Sequence, residues 1–433
     1  MTPHAARDPA PAPPDDDRMR PYLWALLAML ASATFFEGFE AAILSAVAPF
    51  VQAQYGLDDR AWGLVVGLAR TGAVLSFLVL VWADRYGRRR LITLTILGYA
   101  LCTGCTALSQ SIESFTAWQL GARIFLASEF ALALIIIGEE FPTRRRSMGI
   151  AILTGVAAVG TIAAFLSAGW VLARWDWRAM YLLGLIPLAL VFLVRLGMRE
   201  TRRFQALAHA EPPHPLRQIR AALAPAYRPR VLLVTGLWNC NHLLTSPATT
   251  FWTIHAARTL GYDAATYGAV VATGFLAGFA VGSPLAAWLM DHLGRRRACA
   301  ILYIAAGFAI AALFWTPSRS VPVQMLLMSL AAIAALGASA VTSTYATELF
   351  PTAIRATAYG VTTNLFGRVL EFGTPMLIGA LAVELGIPGA VAVVAGGPIL
   401  GGLGVLRWAP ETRGLSLEEI EVRPPPAARG RRR

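Results

Sequence analysis

Apolar residues fill run after run of about 20 positions, and short polar breaks separate the runs. Twelve such runs can be marked, the first from about Tyr22 to Phe50 and the last ending near Arg407. A run of that length crosses a hydrocarbon core ~30 Å thick as one α-helix, and in lipid a helix satisfies its own backbone hydrogen bonds. The pattern therefore predicts an all-α membrane protein with twelve transmembrane helices. No small-residue cleavage site follows a short apolar core in the first run, so it is expected to stay on the chain as a helix.

The breaks set the expected divisions. Residues 1–20, proline-rich and then acidic at Asp15 to Asp17, form a solvated tail; residues 21–198 form a first six-helix bundle. A charged, proline-bearing central loop spans residues 199–230, a second six-helix bundle spans 231–407, and residues 408–433 form a second tail. Composition agrees: 56% of the 433 residues are hydrophobic, only 14% are charged, and mean hydropathy is +0.57, which excludes an ordinary soluble domain.

The net charge of +12 comes from 37 basic residues, all of them arginine, a balance that by itself would also suit nucleic acid. Their placement decides otherwise. Arginines crowd alternate breaks, at Arg85 to Arg90, Arg144 to Arg146, Arg199 to Arg230, Arg295 to Arg297, Arg355 and the C-terminal tail, while the other breaks hold few. The positive-inside rule then places both termini and the central loop in the cytoplasm of a cell membrane, with lipid rather than nucleic acid as the partner. Cys102 and Cys105 make a lone C-x-x-C with no second ligand pair, so helix packing rather than metal is expected there.

Three charged signatures recur in order. Asp84-Arg-Tyr-Gly87-Arg88 returns as Asp291-His-Leu-Gly294-Arg295, an offset of 207 residues. Glu139-Glu-Phe-Pro142 with Arg146 returns as Glu348-Leu-Phe-Pro351 with Arg355, an offset of 209, and Glu200-Thr-Arg202 returns as Glu411-Thr-Arg413, an offset of 211. Three matches, each closing the corresponding helix, imply duplication into two pseudo-symmetric six-helix halves.

These signatures resemble those of the major facilitator superfamily, over about Tyr22 to Ile420, and are most similar to its sugar-porter and metabolite-proton symporter branch. The tail from Pro410 to Ile420 and the Trp177-Arg178, Gly184, Pro187 set are similar to that branch as well. One difference is visible: the family has a glycine four residues before Asp84, where this chain has Leu80, and Ala287 in the second half. The resemblance implies a two-lobed carrier, monomeric by family default, with a cytoplasmic gate. In it Asp84 sits near the N-terminal end of the eleventh helix and Arg88 reaches Glu139. Asp291, Arg295 and Glu348 repeat the arrangement, and Arg146, Arg355, Glu200 and Glu411 complete it, with Gly87 and Gly294 in the turns.

Charges inside the runs carry the functional reading, because an ionised side chain at the bilayer centre costs roughly 2.5–3.5 kcal/mol on insertion scales. Counting from the cytoplasmic signatures, Glu129 and Arg368 fall near the midplane. In the first helix Glu37 and Glu40 stand three apart, hence on one face, a pair suited to proton binding. The Glu37-Gly-Phe-Glu40 set resembles the acidic first-helix motif of aromatic-acid:proton symporters, which use aspartates. Arg368 with Pro375 is similar to the eleventh helix of that family, and Glu371 follows Arg368 by one turn. Asn239, Asn241 and His242 make a polar cluster in the seventh helix. Arg70 and Arg123 are expected nearer the outer surface, where long side chains snorkel at small cost.

These residues suggest uptake of a small carboxylate with protons. In the empty site a glutamate balances Arg368; an anionic substrate takes the arginine, and the displaced carboxylate binds a proton. A sugar or polyol porter and a drug exporter are the alternatives, the latter disfavoured because the fifth helix lacks proline. A non-transporting sensor is a further class, but the tails are short. No catalytic set is visible: the six histidines are scattered, and without lysine no G-x-x-x-x-G-K phosphate loop exists. No cofactor or metal is expected, and an ion gradient supplies the energy.

Overall fold

A computed structural model describes residues 21–81, 88–142, 145–185, 215–351 and 354–414. Asp84, Gly87 and Glu200 lie outside the described residues, and the side chain of Arg88 is likewise not described.

The first helix (Pro21–Ala46) and the second (Asp59–Val81) are joined by a short helix, Ala48–Tyr55. The third (Arg88–Ala107), fourth (Ile112–Glu140) and fifth (Arg146–Val171) follow, and the sixth is described over residues 178–185. Turn chemistry sets the joints: Gly56 takes φ 61° after Ala48–Tyr55, and Ser111 and Ser114 form a reciprocal capping box at the start of the fourth helix. A helix at Pro215–Ala222 lies within the stretch expected to be loop, and the seventh helix starts at Arg228 rather than after residue 230.

In the second half the seventh helix runs from Arg228–Ser246 through a wide turn at Pro247–Phe251, Trp252–His255, and another wide turn at Ala256–Leu260. The eighth combines Ala264–Ala277, Gly278–Gly282 and Ser283–Leu293; the ninth is Arg295–Trp315 and the tenth Val321–Glu348. Residues from Val369 to Trp408 form the rest of the eleventh helix and the twelfth, divided at Gly386 (φ 67°, ψ 166°), a conformation glycine alone adopts cheaply. The wide π-type turns among the described residues all fall in the seventh, eighth and eleventh helices. Eight described helices are individually long and apolar enough to cross a membrane. One of the eight, Thr357–Trp408, covers the eleventh and twelfth spans together, and the sixth span is described only in part.

Within each half, glycine lets backbones touch. A Cβ at Gly38 would strike the Ala157 carbonyl, and one at Gly160 the Phe35 carbonyl, so the first and fifth helices lie in direct contact. Between halves, the second and eleventh helices meet where a Cβ at Gly63 would strike the Pro375 carbonyl and one at Gly379 the Asp59 carbonyl. The fifth and eighth meet at Gly268 against Phe165 and at Gly169 against Ala265.

Both described chain ends lie at one end of the bundle, here termed proximal. At the opposite, distal end the halves are tied by hydrogen bonds. Tyr267 Oη donates to the Ala46 carbonyl (2.5 Å), Thr253 Oγ1 to the Ser45 carbonyl (2.8 Å), and the Ser45 and Thr250 hydroxyls bond each other (2.9 Å). Arg258 bonds Asp59 (2.7 Å) and Gln52 (3.0 Å).

Candidate functional site

At the proximal end of the second half, Arg295 pairs with Glu348 at 3.1 Å. Glu411 returns from the C-terminal segment to accept the backbone N–H groups of Arg295 (2.8 Å) and Arg296 (3.1 Å), so its carboxylate caps the ninth helix where the helix dipole is positive. Gly294 is required here: its φ is 86°, and an added Cβ would sit 2.5 Å from the Glu411 carboxylate. Thr412 Oγ1 donates to the other Glu348 oxygen (2.6 Å).

Arg146 and Arg355 correct the expected network. Each donates through Nε to a helix-end carbonyl, Phe141 (3.1 Å) and Phe350 (3.2 Å) respectively, and neither forms an ion pair among the described residues. The last turn of a helix leaves carbonyls without internal partners, and an arginine five residues on reaches back to fill one. Asp291 is exposed and forms no ion pair among the described residues. Glu139 is half-buried and bonded.

The centre of the bundle holds a denser cluster. The eleventh helix starts at Arg355–Tyr359, widens over Gly360–Leu365, and breaks at residues 366–368 before resuming at Val369. Gly367 allows the break, since a Cβ there would strike the Thr362 carbonyl. Asn239 of the seventh helix bridges it: Nδ2 donates to the Phe366 carbonyl (3.0 Å) and Oδ1 accepts the Leu370 N–H (2.7 Å). One side-chain amide thus satisfies a donor and an acceptor that the break leaves free. The structure therefore engages Asn239 in holding backbone.

Arg368 stands at the break, and Glu371, 4% exposed, lies one turn on. Glu371 Oε2 accepts from Arg368 Nη1 at 2.7 Å, the intrahelical pair its spacing allows, while Oε1 accepts from Arg123 Nη2 at 2.8 Å. Arg123 belongs to the fourth helix, so one carboxylate joins a cation from each half. The expectation that Arg123 lies toward the surface is corrected. It is 11 residues into the fourth helix, about 16 Å down, close to the midplane, and a buried carboxylate holds its guanidinium inward. Arg70, at the same depth in the second helix, does not snorkel either: Nη1 donates to Ser246 Oγ (2.9 Å) and Nη2 to Thr250 Oγ1 (3.0 Å), both on the seventh helix.

Glu37 and Glu40 separate. Glu37 is half-buried and within electrostatic reach of Arg123, Arg368 and Glu371. Glu40 is 6% exposed, accepts from Thr103 Oγ1 (2.9 Å), and has its other oxygen 2.8 Å from where a Gly184 Cβ would lie. Three residues differ by ~60° around a helix, enough at a helix edge to send one side chain to the seam and the other into its own half. Glu40 also borders a cavity of about 40 Å³ that Arg70, Gln119 and Arg123 share.

His242 is half-buried and feels Glu371, Arg368, Arg70 and Arg123, which places it beside the cluster. Asn241 instead points into its own half, toward the Ala335 carbonyl (3.4 Å). Glu129 is fully buried and bonded, so it does not face the seam openly. Ser246 and Thr250 escaped sequence reading; their spacing of four was the available signal, but helix hydroxyls so often bond their own preceding turn that it carries little weight.

Two helical lobes that touch through glycines and share a charge cluster on the seam define a secondary transporter. The chain belongs to the Major Facilitator Superfamily, whose family model matches residues 30–254 and 239–431. It is 28% identical to a gallate transporter of Pseudomonas putida, over 86% of this chain and 88% of that protein. It is 26% identical to a cis,cis-muconate transport protein of Acinetobacter baylyi, over 83% of this chain and 87% of that protein. The fold matches a D-xylose-proton symporter with TM-score 0.72 at 18% identity, covering 91% of this chain and 100% of that one. This protein is accordingly a multi-pass membrane transporter and not an enzyme.

Proposed function

We propose that the protein imports a small organic acid, aromatic in the first instance, together with protons, across the cell membrane with both termini in the cytoplasm. The distal seal is then the outer gate, and the described conformation is the one closed to the outside. The observation that carries the reading is Glu371 shared between Arg123 and Arg368 at 2.8 and 2.7 Å across the two halves. Carriage of gallate and of muconate by relatives supports an acid as cargo, whereas likeness to a xylose symporter extends to the fold alone.

A substrate carboxylate entering between Arg123 and Arg368 competes with Glu371 for both guanidinium groups. Glu371, or Glu37 beside it, then lacks a cation in a cavity with little water and binds a proton, since an ionised group without a partner is costly there. Anion and proton occupy the site together, and the loss of the cross-half pair frees the lobes to rock. Proton binding and substrate binding are coupled because each changes the other's affinity by the same factor.

Labelled gallate uptake into proteoliposomes, with the outside acid or at equal pH, tests the reading. Uptake should require the proton gradient and collapse in Arg368→Ala and Arg123→Ala. Gradient-independent uptake, or xylose as the better substrate, would overturn it.

A further inference from the structure

The central cations are not equivalent. Arg123 and Arg368 both rest on the Glu371 carboxylate, within 2.8 Å. Arg70 lies at the same membrane depth yet forms no ion pair among the described residues; its guanidinium bonds only the neutral hydroxyls of Ser246 (2.9 Å) and Thr250 (3.0 Å). Both hydroxyls are fully buried, and Thr250 is itself bonded to Ser45 (2.9 Å). A hydroxyl replaces hydration but returns no charge, so Arg70 has no contacting counter-ion among the described residues and is balanced only at longer range, by Glu371. The bonds also bridge the halves, from the second helix to the seventh, and form part of the distal seal.

In a state open at the distal end, the seventh helix would part from the first and second, and Arg70 would lose both hydroxyls. Its guanidinium would then face the vestibule through which a solute enters, on the wall of the small cavity that it shares with Arg123, Gln119 and the Thr103-bonded Glu40, among the apolar Leu44, Ala122 and Leu126. That wall offers a planar two-nitrogen donor next to apolar side chains, the recognition surface of a carboxylate on an apolar or aromatic body. When the distal end closes, Ser246 and Thr250 compete for the same nitrogens.

We propose that Arg70 is a carboxylate anchor whose availability is set by conformation: it binds the anion in the state open to the distal side and surrenders it to Ser246 and Thr250 on closure. Anion release on the proximal side is thereby favoured. The proposal rests on the reading of the protein as an organic-acid carrier.

The test uses the full-length protein with gallate and its uncharged amide, 3,4,5-trihydroxybenzamide. Arg70→Gln should weaken gallate binding roughly 10-fold or more, the loss of one charge-assisted bond, while leaving amide binding within about 2-fold. Arg70→Lys should restore part of the gallate affinity. In the second arm, Ser246→Ala with Thr250→Val removes the competitor, so gallate affinity should rise and the distal vestibule become more accessible to a cysteine reagent at Ala46→Cys. Equal losses for acid and amide in Arg70→Gln, or unchanged gallate affinity, overturn the anchor. Unchanged gallate affinity in the hydroxyl variant overturns its gating by closure. Failure of the wild type to bind gallate, muconate or any other acid instead removes the reading on which the proposal rests, and the proposal with it.

Discussion

Arg123 and Glu371, 248 positions apart in sequence and on opposite halves of the molecule, meet at 2.8 Å in the middle of the bundle. The pair can persist only while the fourth and eleventh helices keep their present separation, so it reports and restrains the conformation of the carrier at once. Arg368 on the same carboxylate prevents Glu371 from following Arg123 freely.

Glu371→Gln should remove proton dependence and most net uptake while leaving solute exchange at equal pH measurable. It should also lower the unfolding temperature, because a lone guanidinium is left in each half; breaking a buried pair costs about 3–5 kcal/mol. Exchange and gradient-driven uptake, compared in the same vesicles, check this.

Asn239→Leu leaves the exposed Phe366 carbonyl and the half-buried Leu370 N–H without their bridge, a loss below the about 1–3 kcal/mol of a fully buried group because water can reach the carbonyl. Arg368 then loses its fixed position, and KM for the acid should rise roughly 10-fold with a smaller change in maximal rate. Asn239→Asp keeps the acceptor to Leu370 and should be the milder variant. A fall in maximal rate alone would assign Asn239 to the transport motion instead.

Gly63→Ala places a Cβ against the Pro375 carbonyl on a rigid backbone seam. The second and eleventh helices cannot close as tightly, so the distal end should become more accessible to a reagent directed at Ala46→Cys, and the uptake rate should fall. Gly155→Ala, where nothing lies within 4 Å of the added carbon, is the control and should behave as wild type.

Glu411→Ala removes the cap from the ninth helix, worth about 0.5–2 kcal/mol for a typical cap. The same change deprives Gly294 of the carboxylate packed on it. Maximal rate should fall with KM little changed, since the gate lies far from the central charges.

Arg258→Gln offers a contrast. Its 2.7 Å pair with Asp59 leaves the arginine side chain 47% exposed, and such pairs contribute about 0–1 kcal/mol and weaken with salt. Uptake should change less than about 3-fold, and less still at high ionic strength. A larger loss would make this pair a principal lock of the distal gate.

Much of this architecture is legible along the chain. The span of one bilayer dictates the length of each apolar run, the asymmetric arginines orient the breaks, and the repeat of Gly294-Arg295, Glu348 and Glu411 after their first-half counterparts announces two related lobes. The importance of intramembrane charge is equally local for Glu37, Arg368 and Glu371, because the cost of burying them in lipid does not depend on knowing the neighbours, whereas the depth of Arg123 emerged only from the fold.

Which partner each charge has is another matter. Spacing along one helix reveals Arg368 with Glu371, three apart, but Arg123 with Glu371 and Arg70 with Thr250 join elements 248 and 180 residues apart. Likewise Glu37 and Glu40 share a face in projection and part company in space, and Asn239 clamps a broken helix. Helix periodicity specifies direction around one axis to within a broad sector. The rotation and crossing of the other helices decide what fills that sector, and those follow from glycine contacts such as Gly63 with Pro375 that exist only once the lobes have packed.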